Sequence, residues 1–272
     1  MSENPLGEKT KYPLKYDLGL LFPIPRSPTR SLLDIENNMV MHGIDHWRAY
    51  EISWLDQTGK PQVAVGEFFF NSESENIIES KSLKLYLNSL NDETHKDVGE
   101  VIEKISKDLS RISCSNVKVV LVHPFEIKDP IANNRSGTSI DSELIECRSS
   151  HPDETVLQTE TDIIFDAQLH SDLFRSNCPV TGQPDWASFH IKYTGPKIKP
   201  DSLLKYLCSY RQHEGYHEEC TERIYRDIMH RCGPTELELS LNYLRRGGID
   251  INVYRSTKPI TRDSIGTRTV RQ

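Results

Sequence analysis

Residues 58–64 read Thr-Gly-Lys-Pro-Gln-Val-Ala, and residues 181–187 read Thr-Gly-Gln-Pro-Asp-Trp-Ala. Further along, Ser82-Leu83 and Tyr86-Leu87-Asn88-Ser89 return as Ser202-Leu203 and Tyr206-Leu207-Cys208-Ser209. The first pair is offset by 123 residues (58 to 181) and the second by 120 (82 to 202), so one three-residue gap reconciles them. A period this long signals a duplicated domain rather than a solenoid, whose repeats are shorter.

Working outward from the two Thr-Gly-x-Pro stretches, each reads as a turn, with proline pre-setting one backbone dihedral. Aromatic and β-branched strands follow at Val63 to Phe70 and at Trp186 to Tyr193. A helix is predicted near Ser80 to Leu90, with a twin near Ser202 to Arg211, and Ser80 and Asp201 are their candidate N-caps. Val98, Val101, Ile102, Ile105, Leu109 and Ile112 form an apolar stripe at helical spacing. Cys220, Ile224, Tyr225 and Ile228 form its counterpart. Alternating strands close each half, through Val117, Val119 and Leu121 and through Leu237, Leu239, Leu241 and Tyr243. Each half therefore reads ββααβ, an α+β unit: an antiparallel sheet with two helices on one face. The expected division is an arm over 1–45, a first module over 46–123, a connection over 124–173 and a second module over 174–272 with a basic tail.

With 272 residues, one or two domains fit, and no disulfide staples are needed for a core. The apolar share of 36% is below the usual ~45–50%, which suggests burial between modules or subunits. No run of about 18 apolar residues suggests a membrane span, and the opening Met-Ser-Glu-Asn-Pro lacks the apolar segment of a signal peptide. A cytoplasmic protein is expected, and its six cysteines are then thiols. No Cys-x-x-Cys pair points to a zinc ribbon. A net charge of -7 disfavours direct nucleic-acid binding. Residues 245–272 nonetheless hold seven Lys or Arg against Asp250 and Asp263, which suits an anionic ligand or an acidic partner surface.

The halves differ where chemistry is plausible. The second has Ser176-Asn177-Cys178-Pro179 before its turn, where the first aligns Leu55 with Cys178 and Gln62 with Asp185. Cys178 is a candidate nucleophile. Asp185, seven residues on, can return across the turn to move a proton. The other five cysteines read as structural. Glu218 beside His217 forms a pair able to hydrogen-bond a heterocycle. His213, His217 and Cys220 have metal-ligand spacing, but Gly215 interrupts the helix that would align them. Arg245-Arg246-Gly247-Gly248 offers a guanidinium fork and close backbone approach to phosphate. Ser80-Lys81-Ser82 sits at a helix start, where free N–H groups attract anions. A composite site drawn from both halves and simple drift after duplication both account for these differences.

Four of these stretches resemble the NADPH-dependent nitrile reductases of queuosine biosynthesis, the 7-cyano-7-deazaguanine reductases, in their long two-module form. They are Glu79-Ser80-Lys81-Ser82-Leu83-Lys84-Leu85-Tyr86, Ser176 through Trp186, Tyr216-His217-Glu218, and Arg245 through Ile251. The resemblance implies tandem tunnelling-fold (T-fold) modules and four-electron reduction of a nitrile to a primary amine with two NADPH. It implies Cys178 as the nucleophile that forms a thioimide and Asp185 as the proton donor. Ile78, Glu79, Ser80, His217 and Glu218 would bind the deazapurine, and Ser80, Lys81, Arg246 and Gly247 would bind NADPH. No metal is assigned, and the low apolar share with the barrel-forming family suggests a homodimer, or a larger assembly. Tyr216 stands where the family pattern has phenylalanine. The rival readings are a metal-dependent pterin or purine enzyme of the same fold, and a non-catalytic RNA-binding module.

Overall fold

The computed structural model describes residues 13–35, 39–127, 136–147, 149, 151–266 and 268–272. In chain order the strands are β1 (Pro23–Pro25), β2 (His42–Leu55), β3 (Pro61–Asn71), β4 (Asn76–Ile78), β5 (Lys118–Val122), β6 (Thr138–Ser139), β7 (Thr159–Ser171), β8 (Arg175–Asn177), β9 (Pro184–Ile198), β10 (Glu236–Tyr243) and β11 (Ile249–Ser256). The helices are α1 (Ser27–Leu32), α2 (Ser80–Asn88), α3 (Val98–Ser113), α4 (Pro200–Cys208) and α5 (His217–Cys232). The result is a mixed α+β protein in which β1 with β4, β3 with β5, β7, β8 and β10 with β9, and β10 with β11 pair antiparallel, while β6 pairs parallel with β7. None of the described helices is long and apolar enough to cross a membrane.

The chain divides into two compact units. Unit 1 holds residues 1–28, 45–129 and 245–251, and unit 2 holds 29–44, 130–244 and 252–272. In unit 1, β3 pairs with β5 from Val65↔Val122 to Phe69↔Lys118. Above them α3 buries Val101, Ile105 and Leu109 completely, each removal from water stabilising the fold by roughly 1.5–3 kcal/mol. Val98, expected in that stripe, is 43% exposed because it opens the helix behind its Asp97 cap. In unit 2, β9 lies between β10 and β7, with Leu241 opposite Phe189 and Leu169 opposite Ile191. The end of the expected 124–173 connection is therefore strand: β7 runs for 13 residues.

The repeat is written in side-chain bonds as well as in sequence. The buried Tyr86 hydroxyl donates to Asp108 on α3 at 2.6 Å, and the buried Tyr206 hydroxyl donates to Asp227 on α5 at 2.5 Å. Ser89 Oγ donates to Tyr86 O, and Ser209 Oγ to Tyr206 O, both at 2.6 Å. The correspondence reaches further than the sequence motifs. Asp17 caps a 3-10 turn (Leu18–Leu20), and its N–H donates to Ser89 Oγ. Asp153 caps another (Glu154–Val156), and its N–H donates to Ser209 Oγ. Phe22 N–H then meets Ser82 Oγ just as Gln158 N–H meets Ser202 Oγ. Residues 17–22 and 153–158 thus brace the two helix pairs alike.

Two caps differ from expectation. Glu79, not Ser80, caps α2, its carboxylate accepting from Lys81 N at 3.0 Å and Ser82 N at 2.7 Å. Lys199, not Asp201, precedes α4. Pro200 occupies the first turn, where its missing N–H costs nothing, and no side chain caps the helix.

Burial raises the Asp227 carboxyl from its ordinary range to about 6, outweighing the Tyr206 hydrogen bond and the Arg226 charge that lower it. The folded state therefore holds this proton more tightly than the unfolded chain does. Stability contributed by the neutral acid is present below about pH 4 and is lost as pH rises toward 6. Asp227→Asn is expected to gain melting temperature relative to the wild type between pH 4 and 7. Melting curves that shift in parallel across that range would refute this.

Candidate active site

Unit 2 builds its site on a turn. β8 pairs with β9 as Arg175↔Trp186, Ser176↔Asp185 and Asn177↔Pro184. The ladder ends where Cys178 N–H donates to Gln183 O at 2.8 Å and Gly182 N–H returns to Cys178 O at 2.9 Å. Gly182 takes φ +65°, the left-handed backbone that closes the turn. Alternation along a strand places Ser176 and Cys178 on one face, and cross-strand pairing adds Asp185 to it. Cys178 stays partly accessible on this turn.

The twin turn in unit 1 shows what this geometry permits. Asp56 N–H donates to Lys60 O and Gly59 N–H to Asp56 O, the same two bonds, with Gly59 at φ +81°. Asp56, not Leu55, thus holds the place of Cys178, because the second turn is one residue longer. Across the unit 1 turn, Gln62 Nε2 donates to Asp56 Oδ2 at 2.9 Å. Gln62 aligns with Asp185, so side chains at these two places come within hydrogen-bond reach. Unit 1 uses the reach to tie its turn: Asp56 also accepts from Thr58 N, Thr58 Oγ1 and Lys60 N, bonds that hold its carboxyl below the ordinary range.

β8 also positions the start of α5. Asn177 N–H donates to His213 O at 2.8 Å and Gly215 N–H to Asn177 O at 3.0 Å. The chain then turns into α5 at His217, whose Nε2 lies 3.4 Å from Asp185 Oδ2. The His217 ring packs on Tyr243 with centroids 4.0 Å apart. Glu218 follows, 4% exposed. Tyr243 is buried beneath the group. Its phenol is pushed well above the ordinary range by burial and by the nearby Cys220, Asp185 and Glu218, so it stays neutral. Tyr243 is a residue the sequence reading used only as core. The alternation of β10, with Leu237, Leu239, Leu241 and Tyr243 facing inward, was its signal.

The spacing of His213, His217 and Cys220 does not become a ligand set. α5 begins only at His217, and that imidazole turns to Asp185. Among the described residues, the donors that converge are His213, Glu219 and Cys220. Glu219 Oε1 there meets His213 Nε2 at 3.3 Å and Arg223 at 3.1 Å. Burial pushes the Cys220 thiol well up, which keeps it protonated. This arrangement braces the lead into α5.

The remaining candidates belong to unit 1. Ile78 ends β4 opposite Pro23 and is buried. Glu79 is 7% exposed and spends both carboxylate oxygens on its helix cap. The N–H groups of Lys81 and Ser82 are thereby occupied, so the expected anion attraction at this helix start falls to side chains instead. Ser80 and Lys81 lie half-buried on the first turn of α2. Lys84, one turn on and on the same face, lies against the Arg246–Ile249 turn. A Cβ on Gly247 would meet its Cε at 3.2 Å and its Nζ at 3.3 Å. Arg246 and Gly247 are exposed. The Lys84 ammonium beside a glycine backbone, with Arg246 next in the same turn, is a residue set whose chemistry suits phosphate. Lys84 was not among the candidates from sequence, although its spacing from Lys81 was visible.

Comparison with known proteins agrees with both units. Residues 12–121 match the family profile described as "Nitrile reductase, 7-cyano-7-deazaguanine-reductase N-term", and residues 184–261 match "QueF-like protein". The chain is 44% identical to the NADPH-dependent 7-cyano-7-deazaguanine reductase of Burkholderia lata, over 93% of each chain. It is 46% identical to the enzyme of that name from Coxiella burnetii, over 93% of this chain and 91% of the relative. A likeness so high over nearly full length, with matches on both sides of the turn that bears Cys178, leaves one assignment: the chain belongs to the family of NADPH-dependent 7-cyano-7-deazaguanine reductases.

Proposed function

We infer that this protein reduces the nitrile of 7-cyano-7-deazaguanine to the primary amine of 7-aminomethyl-7-deazaguanine, a step of queuosine biosynthesis. The observation that carries the reading is the Cys178 turn, which sets a partly accessible thiol on the face of Asp185, itself 3.4 Å from His217.

The residues divide the work as follows. Cys178 sulfur adds to the nitrile carbon, one π bond of the C≡N group breaks, and the nitrogen takes a proton from the Asp185 carboxyl. The thiol proton replaces it, so the thioimide forms with no net change in charge. Covalent capture holds the carbon in place for two reductions, which replaces an encounter with an intramolecular geometry. NADPH supplies a hydride at each reduction when bound. After the first, the C–S bond breaks with its electron pair returning to sulfur, which leaves an imine. A proton from solvent restores the thiol, and the second hydride with a second solvent proton completes the amine. His217 orients Asp185 and, with Glu218, offers hydrogen bonds to the deazapurine ring, and Ile78, Glu79 and Ser80 are the further residues assigned to bind the deazapurine. Ser80, Lys81, Arg246 and Gly247 take the cofactor's phosphates and ribose, and the residue set around Lys84 supports that reading.

The matching turns, helix braces and Tyr–Asp pairs of the two units support tandem T-fold modules, at 46–123 and 174–272, with 1–45 and 124–173 as arm and connection. A homodimer in the cytoplasm, without direct nucleic-acid contact, fits the low apolar share and the acidic net charge. The test is stoichiometry: purified protein given the nitrile consumes two NADPH per primary amine formed. No nitrile-dependent NADPH oxidation by folded protein would overturn the reading.

A further inference from the structure

Arg246, Gly247, Gly248 and Ile249 form a tight two-residue turn. Arg246 N–H donates to Ile249 O at 2.9 Å, and Gly247 and Gly248 take φ +60° and +80°. Both central residues in the left-handed region make this a type I′ geometry, which two glycines adopt without strain. Two glycines also give an exposed turn wide freedom, and a turn that samples many shapes binds an anion weakly. Something must hold it.

Tyr50 on β2 touches that turn and the residue on each side of it. Its N–H donates to Gly248 O at 3.0 Å. Its hydroxyl donates to Asp250 Oδ2 at 2.5 Å. Its ring lies under Arg245, with the guanidinium carbon 4.2 Å from the centroid. Asp250 is wholly buried, and Arg48 Nη1 lies 3.9 Å from its other oxygen. Tyr50 therefore pins Arg245 on one side of the Arg246–Gly247 pair and Gly248 and Asp250 on the other. All these contacts lie within unit 1, whereas the nucleophile's turn belongs to unit 2.

We propose that Tyr50 is a positioning residue for NADPH, setting the shape of the Arg246–Gly247 turn through its backbone, ring and hydroxyl. The inference rests on the reading that this turn meets the cofactor's phosphates. Tyr50→Phe keeps the ring and the backbone bond and deletes only the hydroxyl. It should raise the NADPH KM about three- to tenfold, the span of one net hydrogen bond. The kcat at saturating NADPH should stay within about twofold, the scatter expected where transition-state contacts are intact. Adduct formation with the nitrile alone, which needs no NADPH, should keep its wild-type rate. Tyr50→Ala should raise the KM further by removing the platform under Arg245.

Arg246→Ala is measured alongside. If it leaves the NADPH KM unchanged, the cofactor reading of the turn fails and the role of Tyr50 falls with it. If Arg246→Ala raises the KM and Tyr50→Phe does not, the cofactor reading stands and the positioning role is refuted. Loss of kcat and of adduct formation in Tyr50→Phe would show a general structural role and would equally refute it.

Discussion

Cys178→Ala yields a folded protein that neither turns over nor gains the mass of the nitrile. The kcat should fall by on the order of 10⁴-fold or more, the scale on which a lost nucleophile acts. The cleanest measurement is intact mass after incubation with 7-cyano-7-deazaguanine and no NADPH. The wild type should carry one adduct and the variant none. The expectation that Cys178 reacts ahead of four of the five other thiols follows from their surroundings, and Cys147→Ala serves as the control for the fifth, which is exposed. Burial pushes the thiols of Cys208 to about 12 and Cys232 to about 11, and that of Cys220 well above the ordinary range. Cys114 is also raised, by desolvation and then by Glu75. A thiol so held offers little thiolate at neutral pH. Cys178 instead ends a strand on a partly accessible turn facing Asp185. An adduct that persists in Cys178→Ala would place the chemistry elsewhere. A folded wild type that never forms one would remove covalent capture altogether.

The turn that bears Cys178 was legible because its requirements are local. Thr-Gly-x-Pro needs a left-handed glycine, and both Gly59 and Gly182 supply it. The helix stripes were legible for the same reason, since a buried face imposes its period on the chain. The braces at 17–22 and 153–158 were not. They share little beyond a capping aspartate and the buried Leu21 and Leu157, because their bonds run from backbone N–H groups to serine hydroxyls on the helices. Backbone donors leave no residue signature. The same reason hid the one-residue difference between the turns, so that Leu55 rather than Asp56 was aligned with the nucleophile. The caps were misread because Ser80 is the commoner capping residue, whereas a glutamate one position earlier reaches both N–H groups with two oxygens. The nearness of Asp185 to His217, 32 positions apart in sequence, needed β8 to hold both the turn and the lead into α5.

Asp185→Asn should fold, because the side chain keeps its shape and one oxygen that can face His217. It should nevertheless lower kcat by roughly 10²–10³-fold, within the range of a lost general acid. The step affected is specific. As sulfur adds to the nitrile carbon, charge accumulates on nitrogen, and an amide cannot deliver the proton that neutralises it. Capture itself must slow, so the rate of adduct formation without NADPH should fall along with turnover. That distinguishes proton transfer from a role confined to the reductions, in which the adduct would form at the wild-type rate and then stall. His217→Gln provides the complementary case. It removes the ring that packs on Tyr243 and faces Asp185, yet leaves the carboxyl in place. Capture should then slow less than in Asp185→Asn. If Asp185→Asn captures the nitrile as fast as the wild type, the carboxyl does not protonate the nitrogen. The donor must then be sought among the other groups around Tyr243, with Glu218 the first to replace, since it is the remaining buried carboxyl at that ring.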